Sequence, residues 1–216
     1  MQGLSSAEVA KYIRSLLPPR EELLAQMEKE AQEKIVPIVE PEVAQLLYWL
    51  ALSHHVKNVL EIGTAIGYST LWLAKAVLPR GGKITTLEIN EPRYEAAKKN
   101  FKAAGVDKNI DLILGDAREL IYKLKGPYDF IFLDAAKGKY LEFLQKCIDI
   151  LRPGGLLVAD DVFMHGMVIT GDIDKRRNKT AVRRLRDYLK LVMKHPQLET
   201  VIIPLGDGIA LSYKNK

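Results

Sequence analysis

One stretch constrains this chain more than any other: Val59-Leu60-Glu61-Ile62-Gly63-Thr64-Ala65-Ile66-Gly67-Tyr68-Ser69. An apolar run ends at an acid, two glycines bracket a turn of small residues, and an amphipathic segment, 70–77, follows at once. This order reads as strand, tight loop, helix. Glycine lets the loop take positive φ and lets another group approach the backbone closely. The helix behind the loop turns its free N–H groups toward whatever lies in front of it. The spacing is Gly63-x-x-x-Gly67, with Glu61 where a dinucleotide fingerprint would place its first glycine, so the pattern does not favour NAD.

With 216 residues the chain suffices for one α/β domain with a large core, and 48% hydrophobic residues make it globular. No apolar run reaches the length of a membrane span, and no secretory segment opens the chain. The lone Cys147 excludes an internal disulfide and a cysteine-only metal site. A cytoplasmic enzyme is the expectation.

Two helices, up to about residue 17 and over 20–33, precede the first strand and read as an appendage over 1–35. The main domain then covers 36–216. A short extended linker, 36–40, leads into a helix that Pro41 starts, and such a linker can arch over a pocket. Strands follow at 56–62, 83–87, 110–114, 128–133 and 156–159, with helices expected at 92–104, 118–123 and 140–151. This alternation predicts a doubly wound parallel sheet with all strand C-termini on one edge. Pro153-Gly154-Gly155 reads as a turn before the fifth strand, 167–174 as a loop and 178–195 as a long basic helix. The runs 201–204 and 209–213 form an antiparallel hairpin around Leu205-Gly206-Asp207-Gly208.

Acids close every parallel strand: Glu61, Glu88, Asp116, Asp134 and the pair Asp160-Asp161. On the sheet they converge on one rim. Glu88 suits the two hydroxyls of a ribose. Asp116, with Ala117 beside it, suits an adenine amino group. Glu61 suits the glycine loop or a ligand amino group. Asp134, Asp160 and Asp161 remain, and three carboxylates from neighbouring strand ends suit Mg²⁺ or another hard divalent cation. No His–Cys cluster suggests zinc.

Glu61-x-Gly63-x-x-x-Gly67 resembles the first motif of class I S-adenosylmethionine-dependent methyltransferases. Phe132-Leu133-Asp134-Ala135-Ala136-Lys137 and Val158-Ala159-Asp160-Asp161-Val162 are similar to the metal-dependent O-methyltransferases of the catechol and caffeoyl-CoA type. The similarity spans about 36–213. It implies a seven-stranded Rossmann-like sheet ending in the hairpin, and S-adenosylmethionine held by Val39, Glu61, Gly63, Gly67, Tyr68, Ser69, Glu88, Asp116, Ala117 and Asp134. It also implies Mg²⁺ held by Asp134, Asp160 and Asp161, catalytic roles for Asp134 and Lys137, and a homodimer. The family has Asn where Asp161 stands, which adds one negative charge.

A narrower likeness, in Ile35-Val36-Pro37-Ile38-Val39-Glu40, the 61–69 loop, 134–140, Lys175-Arg176-Arg177 and His195-Pro196 through Ile203-Pro204-Leu205-Gly206-Asp207-Gly208, is to bacterial tRNA 5-hydroxyuridine methyltransferases. It implies a tRNA anticodon loop as substrate, with a small catechol or caffeoyl-CoA type acceptor as the alternative. The basic segment supports a polyanion. Lys175, Arg176, Arg177, Lys179, Arg183, Arg184, Arg186 and Lys190 stand against one acid, Asp187. Helical spacing places Arg183, Arg186 and Lys190 on one face. Tyr68, Tyr140 and Phe163 are candidates to stack on a base.

Overall fold

The structure, a computed structural model, describes residues 6–171 and 178–215. Lys175, Arg176 and Arg177 lie outside the described residues. Seven strands form one sheet in the order β3-β2-β1-β4-β5-β7-β6. β1 (Asn58–Ile62), β2 (Lys83–Glu88), β3 (Ile110–Leu114), β4 (Tyr128–Leu133) and β5 (Leu151–Ala159) are parallel. β7 (Ile209–Lys214) runs antiparallel to β5 and to β6 (Leu198–Ile203). Chain order reverses between β1 and β4, so the loops leaving these strands part to opposite sides and open a crevice at their C-terminal ends.

The central strands are apolar on both faces because helices cover both. Phe130, Ile131, Phe132 and Leu133 are fully buried. Alternation along the strands divides the core in two. Val59, Phe130, Phe132 and Val158 pack under α2 (Glu22–Lys34), α3 (Pro41–Ser53), α4 (Tyr68–Val77) and α5 (Glu91–Ala103). Leu60, Ile62, Ile131, Leu133 and Leu157 pack under α7 (Tyr140–Ile150) and α9 (Lys179–Val192). The first core crosses the expected boundary at residue 35: Leu24, Met27 and Ala31 of α2 share it with Val39 and Val43. Arg14 of α1 (Ser6–Leu16) pairs with buried Glu42 through two bonds, 2.7 and 2.8 Å. No helix among the described residues is long and apolar enough to cross a membrane.

Three segments differ from the sequence expectation. β5 starts at Leu151, and Pro153-Gly154-Gly155 lies within it. The pairing passes from Tyr128 against Leu151 to Phe130 against Leu156, so the extra residues are absorbed as a bulge. A Cβ on Gly155 would lie 2.6 Å from Leu151 Cδ1 and 3.0 Å from the Asp129 carbonyl. Second, residues 167–170 are a helical turn, α8 (Met167–Thr170), bounded by Gly166 and Gly171 at positive φ. Third, the helix expected over 118–123 is reduced to α6 (Ala117–Leu120).

The glycine loop is held by backbone. Gly63 N–H and Thr64 N–H donate to the Leu87 carbonyl at 3.0 and 3.2 Å. Gly63 has φ +106°, and a Cβ there would lie 2.0 Å from the Asp134 carbonyl oxygen. Gly81 also has positive φ, +70°, but faces open space. Gly63→Ala should therefore lower stability by at least about 3 kcal/mol, since backbone strain and a backbone clash add. Gly81→Ala should cost only about 1 kcal/mol. Urea titrations of the two variants check this, and equal losses would contradict the close approach at Gly63.

Candidate active site

A cleft of about 730 Å³ opens at the C-terminal ends of β1, β2, β4 and β5, with the 37–40 linker along one side. The acids reach it because the parallel ladder continues past the strands. Gly115 N–H donates to the Glu88 carbonyl, Asp134 N–H to that of Ile62 and Asp160 N–H to that of Leu133, at 2.8, 2.9 and 3.0 Å. Each rim acid is thus anchored through its own or a neighbouring peptide to the next strand.

At one end of the cleft, Glu88 accepts from Ala65 N–H and from Asn90 N–H, both at 2.8 Å. A carboxylate oxygen that accepts one bond keeps capacity for another, so both oxygens can still take hydroxyls. Asp116 caps α6 through Arg118 N–H at 2.8 Å. The Arg118 guanidinium also bonds it, and these contacts hold its carboxyl below the usual range. Val39, Gly63 and Ala117 line the cleft with them.

Glu61, Gly67, Tyr68 and Ser69 are expected cofactor contacts that the structure places beneath the cleft, outside its lining. Glu61 points from β1 under α4 and is fully buried. It accepts from Ser69 and Thr86, each at 2.6 Å, and from Thr70. Burial pushes its carboxyl up to about 7, against the pull of those three hydroxyls. Gly67, at φ +87°, leaves room for the Phe101 ring, which a Cβ would meet at 2.4 Å. The Tyr68 ring is buried, and its hydroxyl donates to Glu28 of α2 at 2.6 Å. Tyr140 is buried too, with Oη 3.0 Å from the carbonyl oxygens of Leu133 and Asp160. Neither tyrosine can stack on an incoming base.

At the other end, Lys137 Nζ lies between two carboxylates, 2.6 Å from Asp134 Oδ1 and 2.9 Å from Asp161 Oδ2. It also donates to Tyr140 Oη at 3.2 Å. Burial works against the ammonium, but Tyr140, Asp134 and Asp161 outweigh it and hold Lys137 well above the ordinary lysine range. Asp160 is 1% exposed. Burial first, then repulsion from Asp134 and Asp161, raises its carboxyl well above normal. Asp161 sits at φ +53°, a conformation that Asn and Asp tolerate best among non-glycine residues.

The donor set fits a hard cation, being carboxylate oxygen throughout. One further carboxylate, Glu40, lies beside the expected trio. Carboxylate oxygens of Glu40, Asp160 and Asp161 lie within 4.8 Å of one another, while Asp134 joins them through Lys137. Two acids at the site thus lacked an assigned role in the sequence reading. Glu40 stands next to Pro41, where a helix start was legible but a carboxylate at the cleft was not. Asp207, which lines the cleft and accepts from His165 N–H at 2.5 Å, stood in the hairpin turn.

The basic helix is partly committed to the fold. Arg186 donates to the Val168 carbonyl at 2.9 Å and to that of Met167 at 3.4 Å. This corrects its expected place beside Arg183 as an outward cation: the α8 turn ends in carbonyls that need donors. Arg184 reaches the Gly138 carbonyl at 3.1 Å and Glu142 at 2.9 Å. Lys179, Arg183 and Lys190 remain exposed.

The profile of a family described as O-methyltransferase matches residues 15–215. A catechol O-methyltransferase of Niastella koreensis is 33% identical over 215 residues, 94% of this chain and 95% of that protein. A caffeoyl-CoA O-methyltransferase of Medicago sativa is 35% identical over 80% of this chain and 72% of its own length. The crystal structure of an O-methyltransferase from Bacillus cereus in complex with SAH superimposes with a TM-score of 0.85 at 26% identity, covering 96% of this chain and 97% of that one.

Glu61 makes stability depend on pH. Its folded carboxyl, at about 7, lies above the ordinary 4.5, so the native state holds this proton more tightly than the unfolded chain. The contribution is full below about 4.5, falls as pH rises to about 7, and is flat above. The drop is about 3 kcal/mol. Glu61→Gln keeps the shape and should remove that slope from unfolding midpoints measured between pH 4.5 and 8. An unchanged slope would assign the pH dependence elsewhere.

Proposed function

We propose, from the premise that the chain belongs to the O-methyltransferase family and is an S-adenosylmethionine-dependent enzyme of that class, that its acceptor carries two adjacent oxygens on a flat ring. The observation that carries this reading is Lys137 Nζ held between Asp134 and Asp161, at the far end of a cleft from Glu88 and Asp116. One end of that cleft suits a nucleoside and the other an acidic oxygen pair.

S-adenosylmethionine supplies a methyl group on a positively charged sulfur. Asp134, Asp160 and Asp161 would hold a divalent cation, which would supply a positive centre that lowers the pKa of an acceptor hydroxyl. The chain's own residues do the rest. Glu88 takes the ribose hydroxyls on the lone pairs its two amide contacts leave free. Asp116, oriented by Arg118, faces the base. Gly63, pressed against the Asp134 backbone, holds the glycine loop at a fixed distance from the Lys137 end of the cleft. Lys137 is an ammonium while its two carboxylates are free. Neutralising them would withdraw that support and let the ammonium release its proton to solvent, and the neutral Nζ is then the atom placed to take the acceptor's proton. Tyr140 positions Lys137 from below. Bringing methyl and oxygen together in line supplies much of the acceleration.

A catechol or caffeoyl-CoA type phenol is the acceptor that the named relatives support. A second reading is 5-hydroxyuridine at the wobble position of tRNA, methylated to 5-methoxyuridine. Its 5-hydroxyl and 4-carbonyl form the same oxygen pair. One observation favours it: α9 is bonded through Arg184 to the turn that carries Lys137, and its Lys179, Arg183 and Lys190 face solvent. A neutral catechol has no use for those cations, whereas the phosphates of RNA, like those of a CoA thioester, do.

Removing divalent cations with EDTA should abolish turnover, and Mg²⁺ or Mn²⁺ should restore it. Lys137→Met should lower turnover about 10²- to 10⁴-fold while calorimetry shows cofactor affinity little changed. Full activity in chelator would sink the metal-assisted reading.

A side-by-side assay on catechol and on tRNA bearing 5-hydroxyuridine decides the acceptor. If RNA is bound, methylation of tRNA should fall steeply with salt and with Arg183→Glu plus Lys190→Glu, at unchanged catechol turnover. Catechol turnover far above that of tRNA, insensitive to both, assigns the small acceptor.

A further inference from the structure

We propose that Glu40 is a fourth carboxylate of the divalent-cation site, and that through it a bound cation clasps the 36–40 linker to the strand ends beside the cofactor. This rests on the metal-assisted reading above and adds a ligand and a consequence to it.

Glu40 stands at the N-terminus of α3, in extended conformation, with no side-chain bond to its own helix. A carboxylate there ordinarily gains by accepting the helix's free N–H groups and meeting its positive end. Here it turns instead toward Asp160 and Asp161, with oxygens of all three within 4.8 Å of one another. Three carboxylates so close repel one another, and a cation between them reverses that sign. The spacing suits one: oxygens each about 2.1–2.4 Å from a single ion lie no more than about 4.2–4.8 Å apart. The hairpin turn makes room. A Cβ at Gly206 would lie 3.0 Å from Glu40 Oε2 and 2.9 Å from Val43 Cγ2.

The trio joins two distant parts of the chain. Asp160 and Asp161 end β5, whereas Glu40 ends a linker that lines the same cleft as Glu88 and Gly63. The linker is tied to helices at its two ends, by Val36 N–H to the Ala31 carbonyl and by the Glu40 carbonyl to Ala44 N–H, both 2.9 Å. Among the described residues, no backbone bond joins 37–39 to the sheet. Val39 is already packed in the core, and a cation held by Glu40 and the Asp160-Asp161 pair adds a polar tie from the linker to the end of β5 beside the cofactor space. Cation and cofactor then favour each other's binding, and the coupling is reciprocal.

The test measures Mn²⁺ binding by electron paramagnetic resonance and S-adenosylmethionine binding by calorimetry, with and without Mn²⁺. In the wild-type protein Mn²⁺ should tighten cofactor binding, in the range of about 5- to 150-fold. Glu40→Gln should weaken Mn²⁺ binding by on the order of tenfold or more and abolish that tightening. Glu40→Asp, which keeps the charge but withdraws it by one methylene, should fall between. A Glu40→Gln protein that binds Mn²⁺ as tightly as wild type, or keeps the full coupling, overturns the clasp and leaves the metal-assisted reading standing. A wild-type protein that binds no Mn²⁺ overturns both.

Discussion

The site depends on one contact between backbones: Gly63 lying directly against the Asp134 carbonyl. β1 and β4 are neighbours in the sheet, and the Asp134 N–H to Ile62 carbonyl bond carries their pairing one step past the strands. A side chain at 63 would push the two loops apart where one leads to the glycine turn and the other to Lys137. The close contact thus fixes the distance between the two ends of the cleft. Glu61 reinforces it from below by tying the first turn of α4 to β1 and β2 through Ser69, Thr70 and Thr86. That carboxylate serves the loop without entering the cleft.

Charge is the second organising term. Glu40, Asp134, Asp160, Asp161 and Asp207 share one cleft with Lys137. Lys137 answers two of them, and Tyr140, anchored to the carbonyls of Leu133 and Asp160, steadies it. The remaining negative charge is concentrated where Asp160 is almost wholly removed from water. Buried like charges are costly unless something compensates them, which is why the donor chemistry suits a divalent ion. Asp161 adds to that charge, and its left-handed backbone conformation aims the carboxylate into the cluster at a cost in strain.

On the surface the same residue types do different work. Arg184 and Arg186 are spent on carbonyls of neighbouring turns, whereas Arg183 and Lys190 on the same helix face water. A count of basic residues therefore overstates what is available to a polyanion. The part of the charge that remains outward is anchored, through α9, to the turn that carries the site's lysine.

The sequence by itself determined the parallel α/β sheet, its closing hairpin, the glycine loop and the convergence of the strand-end acids. These follow from local rules: alternating apolar runs, turn residues at fixed offsets, and acids at or just past the strand ends, Glu61 being the one that stays beneath the cleft. It did not determine which carboxylates meet. Glu40 and Asp161 are brought together only by folding, and the backbone partner that demands glycine at 63 comes from a strand distant in sequence. Nor could spacing show that Tyr68 faces α2 and that Arg186 turns to the α8 carbonyls. Helical periodicity states which residues share a face, but the neighbour that face meets is set by tertiary packing, and an unpaired carbonyl or carboxylate there takes the nearest donor.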